Sequence, residues 1–227
     1  MTDQGQDAGA WADETEQVLL DAAIARAPKL GWTDRLVAAA AKDAGLTLGE
    51  AELLLPNGPR DLAALLARRH DAAGLAALAE VDPANLKVRE RIRQAVLARC
   101  EAAMADREAV RRWSGFLALP PNMPLGLRLA WASADGVWRW AGDIAADENH
   151  YTKRALLAEI LITTLAVRLA LGANAAAAHL DGRIGAVMAF EKWKAGIKPS
   201  GFATRAAGVL GRLRYGAPIS DPAVAAD

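Results

Sequence analysis

Trp32–Leu55, WTDRLVAAAAKDAGLTLGEAELLL, spells a helix, a glycine turn and a second, shorter helix. Thr33 stands where an N-cap is needed, and Leu36, Val37 and Ala40 follow at helical spacing. Gly45 supplies the turn, and Thr47 with Glu50 makes the T-x-x-E pattern of a capping box. The short helix halts at Pro56-Asn57-Gly58. Pro59 then falls in the first turn of a longer helix, where its missing N–H is no loss.

The same punctuation recurs outward from this stretch. Upstream, Asp13–Ala27 reads as an amphipathic helix with Val18, Ala22 and Ala25 on one side, stopped by Pro28. Downstream, helices are expected from Pro59 to about Glu80, from Asp82-Pro83 to roughly Met104, and over Glu108–Leu119, ended by Pro120-Pro121. Asn122 is placed to cap a helix running to about Gly142, the next spans Thr152 to Gly172, and another covers Asn174–Lys194. Gly196 and Pro199 precede a last helical segment, Gly201–Arg214. No useful run alternates with period two, and Ala and Leu, abundant here, lose little side-chain entropy in a helix. The fold class is all-α.

Composition narrows the function classes. With 27 Lys+Arg against 27 Asp+Glu, the chain exerts no overall electrostatic pull on nucleic acid. The single cysteine, Cys100, excludes an intrachain disulfide and a cysteine-rich metal site. Met1–Ala10 is polar, without a basic and apolar leader pattern, so residues 1–12 are expected to be a disordered lead-in. Ala155–Leu171 is the longest apolar stretch, yet Glu159 and Arg168 interrupt it, which favours a buried helix over a membrane span.

Gly31 through Leu62 resembles the N-terminal part of TetR-type regulators. In such a protein the helix at Leu46–Leu55 would read DNA. Here it carries Glu50 and Glu52 and no Lys, Arg, Asn or Gln, the residues that meet phosphates and base edges. The expectation is a vestigial helix-turn-helix without a nucleic-acid partner. A TetR-type transcriptional regulator binding DNA and a hydrophobic ligand is the alternative.

The most distinctive block is Trp138-Arg139-Trp140-Ala141-Gly142-Asp143, followed by Asp147-Glu148-Asn149-His150-Tyr151-Thr152-Lys153-Arg154-Ala155. With Leu119-Pro120-Pro121-Asn122-Met123-Pro124 upstream, it resembles the Coq-nine family of ubiquinone-biosynthesis accessory proteins. The likeness extends from about Gly31 to Gly172, and the C-terminal third matches only in character. His150 stands where the family commonly has Trp. The resemblance implies a TetR-like helical bundle, usually a homodimer, that holds an isoprenoid quinone precursor and presents it to the pathway's di-iron hydroxylase. It places Asp143, Asp147, Asn149, His150, Tyr151 and Arg154 on the partner-facing patch. Read without the family, the same residues make a solvated turn between two apolar helices, and Asp135 with Arg139 pairs at i,i+4 along one of them.

Leu127, Trp131, Ala134 and Trp138 recur along the helix before that turn, and Leu156, Ile160, Leu161, Thr164 and Leu165 along the helix after it. Taken by itself the pattern is that of core packing. With the resemblance it implies an apolar tunnel between the two helices, given room by Ala130, Ala134 and Ala141, for an isoprenoid chain or a phospholipid. In the C-terminal segment Phe202, Val209, Leu210 and Leu213 form an apolar stripe flanked by Arg205 and Arg212, an amphipathic helix suited either to a membrane surface or to packing on the body.

An active site is not legible. His70, His150 and His179 are scattered, no second carboxylate-x-x-His repeat accompanies Asp147 and His150, and no phosphate loop, dinucleotide fingerprint or zinc spacing occurs. Cys100 lies on an amphipathic helix and reads as a small buried hydrophobe. The expectation is a non-enzymatic binding protein without catalytic residues, metal or cofactor. Its parts are a lead-in at 1–12, a helix-turn-helix-like region at 13–80, a lipid-binding core at 81–195, and a linker, membrane-binding helix and tail at 196–227. Its expected location is the cytoplasm, on the inner face of a bacterial plasma membrane.

Overall fold

A computed structural model describes residues 3–143 and 148–196. Its helices are α1 (Asp3–Leu30), α2 (Asp34–Asp43), α3 (Leu48–Leu54), α4 (Pro59–Ala76), α5 (Val88–Met104), α6 (Arg107–Ala118), α7 (Met123–Trp140), α8 (Glu148–Leu171) and α9 (Ala173–Gly196). The chain is all-α, with no strand among the described residues. The last expected helix, Gly201–Arg214, lies outside them.

Most helix starts fall where the capping residues put them. Thr33 accepts from the Leu36 N–H, and at α3 the Glu50 N–H donates to Thr47 Oγ1 at 3.2 Å while the Thr47 N–H donates to Glu50 at 2.8 Å. Three expectations need correction. First, α1 begins at Asp3, not Asp13, so the lead-in is largely helical in backbone.

Second, Pro28 does not stop α1 but sits inside its last turn. Proline's φ is already helical, and so near the end it forfeits only one backbone bond. Gly31 ends the helix instead, with φ 66° and its N–H donating to Ala27 O at 2.9 Å. Third, the helix expected from Asp82 is split. Asp82 accepts from the Ala84 N–H at 2.9 Å and from Asn85 Nδ2 at 3.0 Å, closing a single 3-10 turn over Pro83–Asn85. Glu90 then accepts from the Lys87 N–H at 3.0 Å and starts α5 afresh.

The chain divides into two compact units, Met1–Ile184 and Gly185–Asp227. Residues 13–80 and 81–184, separated in the sequence reading, share the first. Of the second, the end of α9 is described. Within the first unit α4 is central, packing on α1, α2, α5 and α7. Leu62, Leu65 and Leu66 of α4 are buried, as are Leu19 and Leu20 of α1 and Leu36 of α2. Two buried tryptophans satisfy their polar edge on backbone: Trp32 Nε1 donates to Ala109 O at 3.2 Å and Trp113 Nε1 to Ala63 O at 2.9 Å.

Small residues set the closest approach. A Cβ placed on Gly74 of α4 would lie 2.8 Å from Arg99 Cα of α5, nearer than side chains come to backbone. Four residues earlier, His70 is buried with Nε2 2.9 Å from Asp106 Oδ2. Its Nδ1 is buried without a hydrogen-bond partner among the described residues. Burial pushes the His70 imidazole below its ordinary range, more strongly than Asp106 pulls it back, so the ring is neutral and Nε2–H donates to the carboxylate. The buried Cys100 thiol is pushed up to about 11, again by burial, which leaves it an unreactive part of the core.

Two outcomes follow for stability. Gly74→Ala should cost about 1–3 kcal/mol through overpacking, read as a lower urea midpoint with an unchanged slope. His70 takes up its proton less readily folded than unfolded, so the stability it contributes is present above its unfolded value and lost as pH falls through the depressed folded one. Between about pH 8 and pH 5 the wild type should lose more stability than His70→Gln does; equal losses would assign the acid sensitivity elsewhere.

Candidate functional site

The Pro-rich entry to α7 is fixed before the helix begins. Asn122 does not cap α7 through its side chain. It is buried, with Oδ1 accepting from Arg60 Nε at 3.0 Å and Nδ2 donating to Phe116 O at 3.1 Å, while Arg60 also donates to Pro121 O. The turn into α7 is thereby tied to α4 and to the end of α6.

Between α6, α7 and α8 lies a cavity of about 520 Å³, within the ordinary size range of small-molecule sites. Trp113, Leu117 and Ala118 come from α6, Leu127 and Ala130 from α7, and Leu161, Leu165 and Leu169 from α8. Its closed end carries the buried Trp113, Ser133 and Arg99, whereas Met123, Leu127 and Ile162 are exposed at its mouth. Leu127 and Ile162 also line an apolar groove of about 290 Å³ along α7 and α8. That groove in turn shares Trp131 with a polar recess formed with Asp135, Arg139, Asp143, His150 and Arg154. All three spaces lie in the first unit, and they adjoin through shared walls.

Side chains of opposite charge clasp α7 to α8 at the recess. Arg154, 2 % exposed, donates from Nε to Asp135 Oδ1 at 2.6 Å and from Nη1 to His150 O at 3.3 Å. Asp135 also pairs with Arg139 at 2.6 Å, the i,i+4 contact that the spacing predicts. Trp138 Nε1 donates to Lys153 O at 3.2 Å, and Lys153 Nζ lies 5.6 Å above the indole while reaching Asp143 at 3.2 Å. Tyr151, 68 % exposed, stands edge-on to His150 and 6.2 Å from Trp131.

The expected tunnel residues separate into two groups. Leu127, Leu161 and Leu165 line the cavity, and Trp131 lines the groove and the recess. Ala134, Ile160 and Thr164 are buried and Trp138 and Leu156 half-buried, none of them lining the cavity. Of the expected partner patch, Asp143, His150 and Tyr151 gather at the start of α8. Arg154 is a correction: its guanidinium is held inward by Asp135 and does not present to a partner. Asp147 lies outside the described residues, as does the Asn149 side chain. So do Phe202, Arg205, Val209, Leu210, Arg212 and Leu213. Sequence reasoning missed the wall from α6, although Val110, Trp113 and Leu117 recur there at helical spacing, and it missed Arg99 and Arg111 altogether.

On α3, Leu48 and Leu53 are exposed together with Glu50 and Glu52, and Glu50 accepts from Thr47 Oγ1 at 2.7 Å. The arginines that follow are engaged: Arg60 with Asn122, Arg68 with Glu16 and Arg69 with Gln17 and Asp21. Among the described residues no three His, Cys, Asp or Glu side chains gather as a metal site would require, and no helix is long and apolar enough to cross a membrane.

Residues 123–191, covering α7, α8 and most of α9, match the COQ9 family model. Over 174 residues, 72 % of this chain and 54 % of the relative, the chain is 29 % identical to the human ubiquinone biosynthesis protein COQ9, mitochondrial. The Bos taurus protein of the same name is 30 % identical over 172 residues, 72 % of this chain and 54 % of the relative. The Xenopus laevis protein COQ9-A, mitochondrial, is 29 % identical over 168 residues, 69 % of this chain and 51 % of the relative. The chain thus spans about half the length of the curated relatives it matches. None of these names states a catalytic activity. The expected place on a bacterial plasma membrane does not stand, because these relatives are mitochondrial proteins. Its α7–α9 block matches the COQ9 family model, and over a wider stretch the chain is similar to these COQ9 proteins.

Proposed function

We propose that this chain is a lipid-binding accessory protein of ubiquinone biosynthesis. On this reading it shelters an isoprenoid quinone precursor, acts as a homodimer on a TetR-like scaffold, and presents the ligand to a hydroxylase partner. The pathway comes from the names of the relatives and the partner from the family resemblance; the observation that carries lipid binding is the apolar cavity between α6, α7 and α8. Leu127 and Ile162 in its lining also line the neighbouring groove, and Trp131 of that groove also lines the polar recess. A chain with a long apolar tail and a compact polar end suits such a path. Tyr151, exposed beside His150 on the first turns of α8, suits a docking surface for the hydroxylase. The sequence of residues 201–214 suits contact with a lipid surface.

The regulator reading has the helix–turn–helix order of α2 and α3 in its favour. Against it stands an α3 surface of Leu48, Glu50, Glu52 and Leu53, which offers phosphates no cation.

Mass spectrometry of lipid extracted from the purified protein should find a prenylated quinone or its precursor, and protein repeatedly free of lipid would sink the reading. Ala130→Trp, which fills the cavity wall, should lower bound lipid about tenfold while the helical circular dichroism stays unchanged. Tyr151→Ala should leave lipid content intact and weaken capture of the hydroxylase from the same organism by about tenfold or more. Undiminished capture would place the docking surface elsewhere.

A further inference from the structure

The lining of the α6–α7–α8 cavity carries two guanidinium side chains, Arg99 and Arg111, and no carboxylate. Arg99 is the informative one. Its side chain is only 9 % exposed, and it lines the closed end of an otherwise apolar space. Nε donates to Asp71 Oδ1 at 2.7 Å, but Nη1 and Nη2 have no hydrogen-bond acceptor among the described residues. Arginine carries five N–H donors and no acceptor, so most of this buried group's hydrogen-bonding capacity is unspent. Neither Nη atom is fully buried, so a ligand can reach both.

Asp71 reaches Arg99 through Nε alone and also accepts from Ser133 Oγ at 2.8 and 2.9 Å. Asp71 offsets the charge of Arg99, and Arg111, exposed, has no ion-pair partner among the described residues. The two arginines together leave the lining net positive, which favours an anionic ligand, while the buried position of Arg99 and the planar geometry of its guanidinium suit a carboxylate there.

We propose that the cavity binds a single-chain lipid acid with its carboxylate inward on Arg99 and its apolar chain running out past Leu127 and Ile162. This rests on the lipid-binding reading above and specifies the chemistry of the ligand's head. Straight-chain and isoprenoid acids share that chemistry, and binding of each distinguishes the source.

The test uses the full-length protein with four probes, oleate, methyl oleate, farnesoate and methyl farnesoate, at a pH where the acids are ionised. Each ester keeps the chain and removes the charge, so the wild-type comparison needs no variant that could misfold. The acid of at least one pair should bind about tenfold more tightly than its ester, and the acid bound more tightly names the source. Arg99→Gln should abolish the preference, Arg111→Gln should keep most of it, and thermal melts establish that both variants fold. Acids and esters binding alike would overturn the inference and leave the lipid cavity standing. A preference lost in Arg111→Gln but kept in Arg99→Gln would overturn it too, by placing the head at the rim. If none of the four bound, the lipid-binding reading would fail with it.

Discussion

The arrangement of α4, α5 and α7 hangs on one carboxylate, that of Asp71, which accepts from Arg99 Nε of α5 at 2.7 Å and from Ser133 Oγ of α7 at 2.8 Å. Gly74 lies three residues further on, on the same face of α4, and its missing side chain lets α5 come close enough for Arg99 to reach. The two features are one device: the glycine removes the obstacle and the ion pair fixes the register. A buried pair of this kind adds little net stability, because desolvation offsets most of the attraction. Its effect is to position the groups that close the inner end of the cavity.

A second clasp acts between α7 and α8. Asp135 is shared by Arg139 along its own helix and by Arg154 across the turn, and Arg154 also donates to the His150 carbonyl. With Lys153 placed between the Trp138 ring and Asp143, the family-like block becomes a set of internal ties as well as a surface. Tyr151 is the outward-facing member of that block.

The helices were legible because their punctuation is local. Gly45 at φ 73°, Gly58 at φ 55° and Gly142 at φ 89° stand at turns that the residue order marks, and Thr33 and Thr47 start helices by reaching three residues ahead. The misread boundaries involve prolines whose effect depends on position: Pro28 is tolerated in a last turn, and Pro83 begins a 3-10 turn, not a long helix. The site was legible only in part. Apolar periodicity identified Leu127, Leu161 and Leu165, but periodicity names a face and not its partner, so α6 was not recognised as the third wall. Charge misled at Arg154, which an exposed turn seemed to claim and which Asp135, 19 residues away, holds inside. Arg99 was silent for the same reason: its meaning depends on Asp71, 28 residues away, and on a cavity made by other helices.

These two arginines differ in what they leave available. At the recess, Arg154 is tied to Asp135 and to a backbone carbonyl, and Arg139 to the same carboxylate, so the charges there chiefly join helices. In the cavity lining, Arg99 spends one donor on Asp71 and keeps its Nη donors available. A carboxylate entering that space gains charge-assisted hydrogen bonds that an uncharged ring gains only weakly. On the two proposed readings together, an acid is held head-inward, away from Tyr151, whereas a ligand without the acid has little reason to bury its polar end and can leave its ring at the recess. The charge of the head then selects orientation as well as affinity, since the same apolar path serves both poses and only Arg99 distinguishes them.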